Sequence, residues 1–407
     1  MFNSNIKKRL PLGILMFNIF IALLGQGMVI PILPEYLKQF NAGGSVAGYL
    51  VAVFGAAQFL FSPIGGRFSD KYGRKKMILA GLFLTVISDF MFAISQELIW
   101  LYIARFIGGI GLGIMIPSNL AYIADTTTKE TRAKGMGYFS AAINLGMVLG
   151  PGIGGVIAQL GIRVPYFWAS ALGLVATVLT IGLPETLSIE KRNSLKNLKK
   201  NESISRQFIQ SFHTPYFPYL ILIFVMTFGL VNYETVYSLY VEQKYGFNSQ
   251  YISVLITLGA IIGIIIQVGL IDKVIKRFGE YKLIRFSLLM TAIALLLMLI
   301  KVNFIYLLVV SAIFFAFNSF LRPTVSTMLS NKAGDQQGFV SGLSNTYTSF
   351  GNIIGPLMAG NLFDKHINLP YVVGALILIG TIGITFIGNK SYKEEVAENE
   401  WIMAWKN

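Results

Sequence analysis

Two carboxyl groups stand deep inside long apolar stretches of the chain, Asp89 and Glu234, and a third, Glu35, lies near the end of another. A carboxylate taken out of water loses hydration that the neutral acid scarcely needs, so such a group can exchange a proton where a solvent route reaches it. Ionised, it attracts a cation or a hydrogen-bond donor; protonated, it lets go. Tyr233, Tyr237 and Tyr240 accompany Glu234, and Tyr237 follows at i+3, about one helical turn on. Two arginines also interrupt apolar stretches, Arg105 and Arg322. A charge at such depth is costly and normally faces a partner or a hydrated cavity. Arg105 sits about a turn and a half inside its stretch, where snorkelling is the alternative, and for Glu234 the alternative is a fixed ion pair with Arg322.

Other chemistries have no residues to carry them. The chain has no cysteine, which removes disulfides, thiolate nucleophiles and thiolate-bound metals. Its two histidines, His213 and His366, fall near loops, away from acids that would complete a metal site. No HExxH, Walker A or GxSxG pattern occurs, so neither an enzyme, a cofactor, a metal nor ATP-driven work is expected. Gly150-Pro151-Gly152-Ile153-Gly154-Gly155 fits the dinucleotide pattern GxGxxG, yet it lies inside an apolar stretch and not between a strand and a helix.

The elements that hold these residues are membrane spans. Of 407 residues 54% are apolar and only 13% charged, with a mean hydropathy of +0.64. A soluble domain has about 25% charged residues, so this chain has about half the charge needed to cover a wet surface. A helix crossing a hydrocarbon core needs about 20 apolar residues. Such stretches predict twelve spans, at 11–37, 46–68, 77–95, 99–123, 135–158, 165–184, 216–240, 249–271, 283–301, 303–328, 338–362 and 370–389. The first follows Lys7, Lys8 and Arg9 but is too long for a signal-peptide core, and it reads as a retained helix.

Most of the 33 Lys and Arg fall at the termini or in loops after even-numbered spans. Only Lys38, Arg163, Lys244, Lys301 and Lys365 fall in the opposite loops. This asymmetry puts both termini in the cytoplasm. The net charge of +14 is then a topology signal that also suits an anionic inner leaflet, and no nucleic-acid partner is expected. Residues 185–214, between Pro184 and Pro215, are rich in Lys, Asn and Ser and read as a cytoplasmic linker between bundles at 1–184 and 215–390. The segment 391–407 reads as a solvated cytoplasmic tail.

The two halves are related. Gly137, Gly146, Gly150, Pro151 and Gly155 recur at one offset of 205 residues as Gly342, Gly351, Gly355, Pro356 and Gly360. Repeated bundles are how many carriers bind at the midplane and open alternately to each side. Gly146, Gly150 and Gly154 repeat every fourth residue and leave a smooth face for a neighbouring helix; Pro151 removes a backbone hydrogen bond there. In loop 2–3, Gly66-Arg67-Phe68-Ser69-Asp70-Lys71-Tyr72-Gly73-Arg74, Gly73 is free to take positive φ. Asp70 there can meet Arg74 or an opposing helix N-terminus. A contact made in one conformation only would bias the equilibrium between conformations.

The loop 2–3 sequence, the Arg105-Phe106-Ile107-Gly108-Gly109 run and the span 5 glycine array resemble signatures of the major facilitator superfamily and its drug:proton antiporter branch. Leu24-Gly25 and Pro31-Ile32-Leu33-Pro34 match that branch too. Phe17-Asn18-Ile19-Phe20, Glu234-Thr235-Val236-Tyr237, Arg322-Pro323 and Gln337-Gly338-Phe339 look like NorA/Bmr-type multidrug efflux pumps. The resemblance runs from about residue 11 to 390. It implies an all-α membrane protein with the major facilitator fold, two pseudo-symmetric six-helix bundles, and a monomeric carrier in a bacterial plasma membrane. It further implies proton-coupled export of amphipathic or cationic drugs, with Glu234, Arg322, Asp89 and Arg105 in coupling. Tyr237, Gln58, Asn144, Tyr138, Phe54, Phe315 and Asn318 would line the drug site, and Asp70, Gly73, Arg74, Gly146, Gly150, Pro151 and Gly154 would serve the conformational change. Drugs, protons and membrane lipids are the expected partners. The alternative is a narrow-specificity carrier of one metabolite, sugar or lipid on the same fold. One position departs from the pump pattern: the span 10 acid three residues before Arg322-Pro323 is Ser319 here.

Overall fold

A computed structural model describes residues 2–187, 204–212, 214–333 and 336–386. The tail 391–407 and linker residues 188–203 lie outside the described residues. Among the described residues there is helix and no strand, as the long apolar runs require, because a backbone in lipid must satisfy its own hydrogen bonds.

The helices are α1 (Phe2–Val29), α2 (Leu33–Lys38), α3 (Gly44–Tyr72), α4 (Arg74–Ile94), α5 (Leu98–Thr126), α6 (Lys129–Ile157) and α7 (Val164–Ile181). They continue with α8 (Ile204–Ser211), α9 (Phe217–Tyr245), α10 (Ser249–Gly269), α11 (Ile271–Phe278) and α12 (Glu280–Leu297). Three more follow, α13 (Phe304–Ala333), α14 (Gln337–Lys365) and α15 (Leu369–Phe386). Short 3-10 turns at Ile30–Ile32 and Ala158–Leu160 interrupt the first and fifth expected spans near their ends. The first contains Pro31, which has no N–H to give a helix.

Ten helices among the described residues are long and apolar enough to cross a membrane. They coincide with ten of the twelve expected spans. The other two, 283–301 and 338–362, fall on α12 and α14, which are not among the ten. Their sequences show why: α12 opens with Glu280, Lys282 and Arg285, and α14 carries a polar run from Ser344 to Ser349. α8 places a helical turn pair inside the stretch expected to be linker.

The chain divides into two compact units, residues 1–201 with 235–257, and residues 202–234 with 258–407. The division crosses α9 after Glu234 and α10 after Thr257. In the first unit α5 packs on α3 and α4, α1 on α6 and α7, and α4 on α7. Leu15, Ile19 and Met28 of α1 meet Ile78 and Leu82 of α4, Met115 and Tyr122 of α5, Phe139 of α6 and Ala176 of α7 in one buried cluster. In the second unit α12 packs along α13.

The internal repeat is expressed as packing. In the first unit a β-carbon on Gly146 would come within 2.7 Å of the Phe20 carbonyl oxygen, and one on Gly150 within 2.8 Å of the Gly27 Cα. In the second, Gly351 and Gly355 of α14 press in the same way on Thr227 and Phe228 of α9, at 2.8 and 3.0 Å.

Candidate functional site

The loop 2–3 corner is built from a helix that ends and one that begins at a single residue. α3 stops at Tyr72, Gly73 takes φ +111°, and α4 starts at Arg74. Positive φ of this kind is glycine territory. The expectation that Asp70 meets Arg74 or a helix N-terminus resolves in favour of the arginine. Arg74 Nη1 donates to Asp70 Oδ1 at 2.5 Å and to Ser69 Oγ at 3.2 Å, while its Nε donates to Asp125 Oδ2 at 3.2 Å.

The helix N-terminus is held by a different acid. Glu185 accepts the backbone N–H of Arg74 at 2.9 Å on one oxygen and that of Lys75 at 3.2 Å on the other. Four unpaired N–H groups open every helix and carry its partial positive charge, so a carboxylate placed there satisfies donors and dipole together. Lys75 Nζ donates to the Ile181 carbonyl at 2.6 Å, and Thr186 Oγ1 donates to Asp125 at 3.3 Å. The corner thus ties α3, α4, α5 and the exit of α7 into one polar knot around a buried guanidinium, Arg74 being 5% exposed. Sequence reasoning missed Asp125 and Glu185. The signal for them was an acid just past the end of a predicted span, with Glu185 beside Pro184.

The glycines of α6 have two targets. Gly146, Gly150 and Gly154 lie on α1, where a β-carbon on Gly154 would collide with the Met28 backbone. Gly152 and Gly155 face α10, at Thr257 and Ser253. Pro151 is inside the helix and packs its ring toward Gly27. Gly137, counted in the repeat, meets nothing within 4 Å.

Asp89 and Arg105 occupy facing helices of the same unit. A β-carbon on Gly25 would lie 3.5 Å from Asp89 Oδ2, so that carboxyl faces α1. Arg105 holds its guanidinium 4.8 Å over the Phe92 ring, a cation–π contact. Phe92 in turn stacks on Tyr166 at 4.5 Å and on Tyr36 at 5.4 Å. The Arg105 Nε and the Tyr166 hydroxyl are buried without a hydrogen-bond partner among the described residues. Asp89 and Arg105 form no ion pair there. The glycines after Arg105 position α3: a β-carbon on Gly109 would meet Ala57 at 2.7 Å and the Gln58 N at 3.2 Å. One on Gly113 would meet the Gln58 carbonyl oxygen at 2.9 Å. Phe54 and Gln58 are half-buried, whereas Tyr138 and Asn144 on α6 are exposed.

In the second unit Glu234 is half-buried near the middle of α9 and makes no ion pair among the described residues. Arg322 is exposed, and the ion pair between the two is not formed. Tyr233, beside Glu234, stacks on Phe314 at 4.0 Å and meets Phe315 edge-on at 5.7 Å. Phe315 lies against α10, where a β-carbon on Gly259 would come within 2.5 Å of its ring. Ser319, at the position of the missing acid, donates to the Phe315 carbonyl at 2.7 Å. A β-carbon on Gly263 would reach its Oγ at 2.6 Å. Asn318 is half-buried. Tyr237 and Tyr240 are buried in the first unit, Tyr240 accepting a hydrogen bond from Lys244 at 2.5 Å. The structure therefore brings Phe314 and Phe315 onto Tyr233, the residue beside Glu234, and Phe54 and Gln58 onto the Arg105 helix in the other unit.

The model of the Major Facilitator Superfamily matches residues 15–356 and 270–405. Multidrug resistance protein 2 of Bacillus subtilis (strain 168) is 41% identical over 387 residues, covering 95% of this chain and 97% of that protein. Quinolone resistance protein NorA of Staphylococcus aureus (strain MRSA252) is 39% identical over 390 residues, covering 95% and 98%. The crystal structure of the nucleoside transporter NupG superposes with a TM-score of 0.74 at 14% identity, covering 94% of this chain and 99% of that one, a likeness of fold.

Proposed function

Because the chain belongs to the major facilitator superfamily, we propose that it is a proton-coupled multidrug exporter of a bacterial plasma membrane. Its spans number twelve on this reading, in bundles at 1–184 and 215–390 with both termini cytoplasmic, and it works as a monomer by alternating access. The observation that carries the reading is Glu234: an acid near the middle of an apolar helix, half-buried, with no counter-ion among the described residues. A carboxyl so placed has a low-cost neutral form and an attractive charged one, which is what exchange of a proton for a cation requires. The names of the relatives, multidrug resistance and quinolone resistance, support drugs as cargo.

The chain's own residues divide the work. Glu234 takes the proton from one side and the cationic or hydrogen-bonding drug from the other. Tyr237, Phe315, Asn318, Phe54, Gln58, Asn144 and Tyr138 supply aromatic and amide surface. A mostly apolar lining with few polar groups admits unlike amphipathic molecules, and aromatic faces favour organic cations. Arg105 and Asp89 pass or tune the proton in the first unit, and Arg322 sets the field near Glu234. The corner of Asp70, Gly73 and Arg74 and the glycines Gly146, Gly150 and Gly154 with Pro151 serve the conformational step.

The test is efflux of a fluorescent organic cation from cells, or its uptake into inside-out vesicles, with and without a protonophore, followed by competition with unrelated cations and quinolones. Collapse of efflux by the protonophore and competition by several chemical classes are expected. Response to one class only would make the chain a narrow-specificity carrier instead.

A further inference from the structure

We propose that Lys38, Glu242 and Glu35 form an electrostatic latch that holds the ends of α2, α9 and α10 together over a closed packing of α6 on α10. All of these residues belong to the first unit. Lys38, at the end of α2, pairs with Glu242 in the last turn of α9, although 204 residues separate them. One turn back, Glu35 accepts the backbone N–H of Ser249, the first residue of α10, at 3.2 Å. Two carboxylate contacts of opposite direction, one on a side-chain cation and one on a helix N-terminus, thus fasten the same three helix ends.

What lies beneath shows why a fastening is needed. A β-carbon on Gly155 would overlap the Ser253 hydroxyl, and one on Gly152 would lie 3.1 Å from Thr257 Oγ1. Ser253 is 3% exposed, its Oγ donating to the Ser249 carbonyl at 2.6 Å. Small residues brought this close gain packing only in register. A separation of the helix ends loses that packing. The latch itself is weakly held by design: the Lys38 side chain is 63% exposed and that of Glu242 16% exposed. Pairs of that exposure shift an equilibrium by no more than about five-fold. They bias a seam without locking it.

This inference rests on the export reading only for its use in the transport cycle, since on that topology these helix ends face the outside and must part to release cargo. The seam can be tested without transport. The native chain has no cysteine, so Ser253→Cys provides a sole thiol under the latch, in a chain otherwise unchanged. Its alkylation by a membrane-impermeant maleimide, applied to the outer side of intact cells, reports how often the seam opens. We expect E242K and K38E, each in the S253C background, to speed labelling about two- to five-fold. The charge swap K38E/E242K is expected to return it to the S253C rate. Single variants that label at the S253C rate, or a swap that labels as fast as the singles, would overturn the latch. Absence of drug efflux in the parent chain alongside the expected labelling pattern would count against the export reading and leave the latch standing.

Discussion

The carboxylate of Glu185 occupies the space that a β-carbon on Gly73 would need. Two residues more than a hundred positions apart therefore constrain each other: the glycine leaves room, and the acid uses it to cap α4 through the Arg74 and Lys75 N–H groups. Gly73→Ala meets both obstacles, a backbone region that costs about 1–3 kcal/mol for other residues and a displaced cap. The thermal unfolding midpoint of the purified protein should fall by several degrees. A midpoint equal to the parent's would show that the corner relaxes freely.

The cap alone is tested at the acid. Glu185→Ala should cost about 0.5–2 kcal/mol, the usual range for losing a helix cap. Glu185→Gln keeps an acceptor oxygen and should cost less, losing mainly the charge–dipole part of about 0.3–1 kcal/mol. Equal effects of the two substitutions on thermal stability would remove the hydrogen bonds from the explanation.

Asp70 contributes to the corner differently, through one charged bond to Arg74 that Asp125 partly duplicates. Asp70→Asn should therefore leave the fold intact and slow turnover several-fold with little change in drug affinity. Measuring transport velocity and drug binding on the same preparation separates the two, and weakened binding at unchanged velocity would contradict the conformational role.

For Glu234 the expected result is sharper. Glu234→Gln keeps size and hydrogen bonding but cannot take up and give back a proton as a carboxyl does, so proton-driven efflux should be lost while expression and membrane insertion stay at parental levels. Normal drug extrusion by this variant in energised vesicles would remove Glu234 from coupling.

Two glycines of α6 make a matched pair. Gly154 is pressed on the Met28 backbone, whereas Gly137 meets nothing within 4 Å. Gly154→Ala should destabilise by about 1–3 kcal/mol through overpacking. Gly137→Ala should be neutral or slightly stabilising, since a helix prefers alanine by up to about 1 kcal/mol. Thermal unfolding of the two variants side by side decides it.

Much of this was legible without coordinates, and the reason differs from element to element. Ten of the expected spans reappear because length and apolarity answer to the bilayer alone. The two that fall short, on α12 and α14, are those where polar residues interrupt the run. Gly73 was legible because a glycine in a short turn between two helix ends is free to take positive φ. Asp70 meeting Arg74 was legible because a turn as short as the one at Gly73 keeps the last turn of one helix beside the first residue of the next. The glycine repeat announced close packing, but Gly137 and Gly154 look alike in the sequence. Which of them touches a neighbour depends on the angle at which two helices cross.

The amino-acid order thus determined what is local or solvent-driven: an all-helical membrane chain, its duplicated halves, the turn at Gly73 and the acids that stand in apolar surroundings. Tertiary structure alone decided the partnerships. Arg74 with Asp125, Glu185 with the start of α4, Lys38 with Glu242 and Phe315 with Gly259 join residues that no periodicity relates. A bilayer sorts residues by polarity, and it does so for each helix separately. Pairing needs complementary shape and charge between helices, and these exist only once the helices have packed.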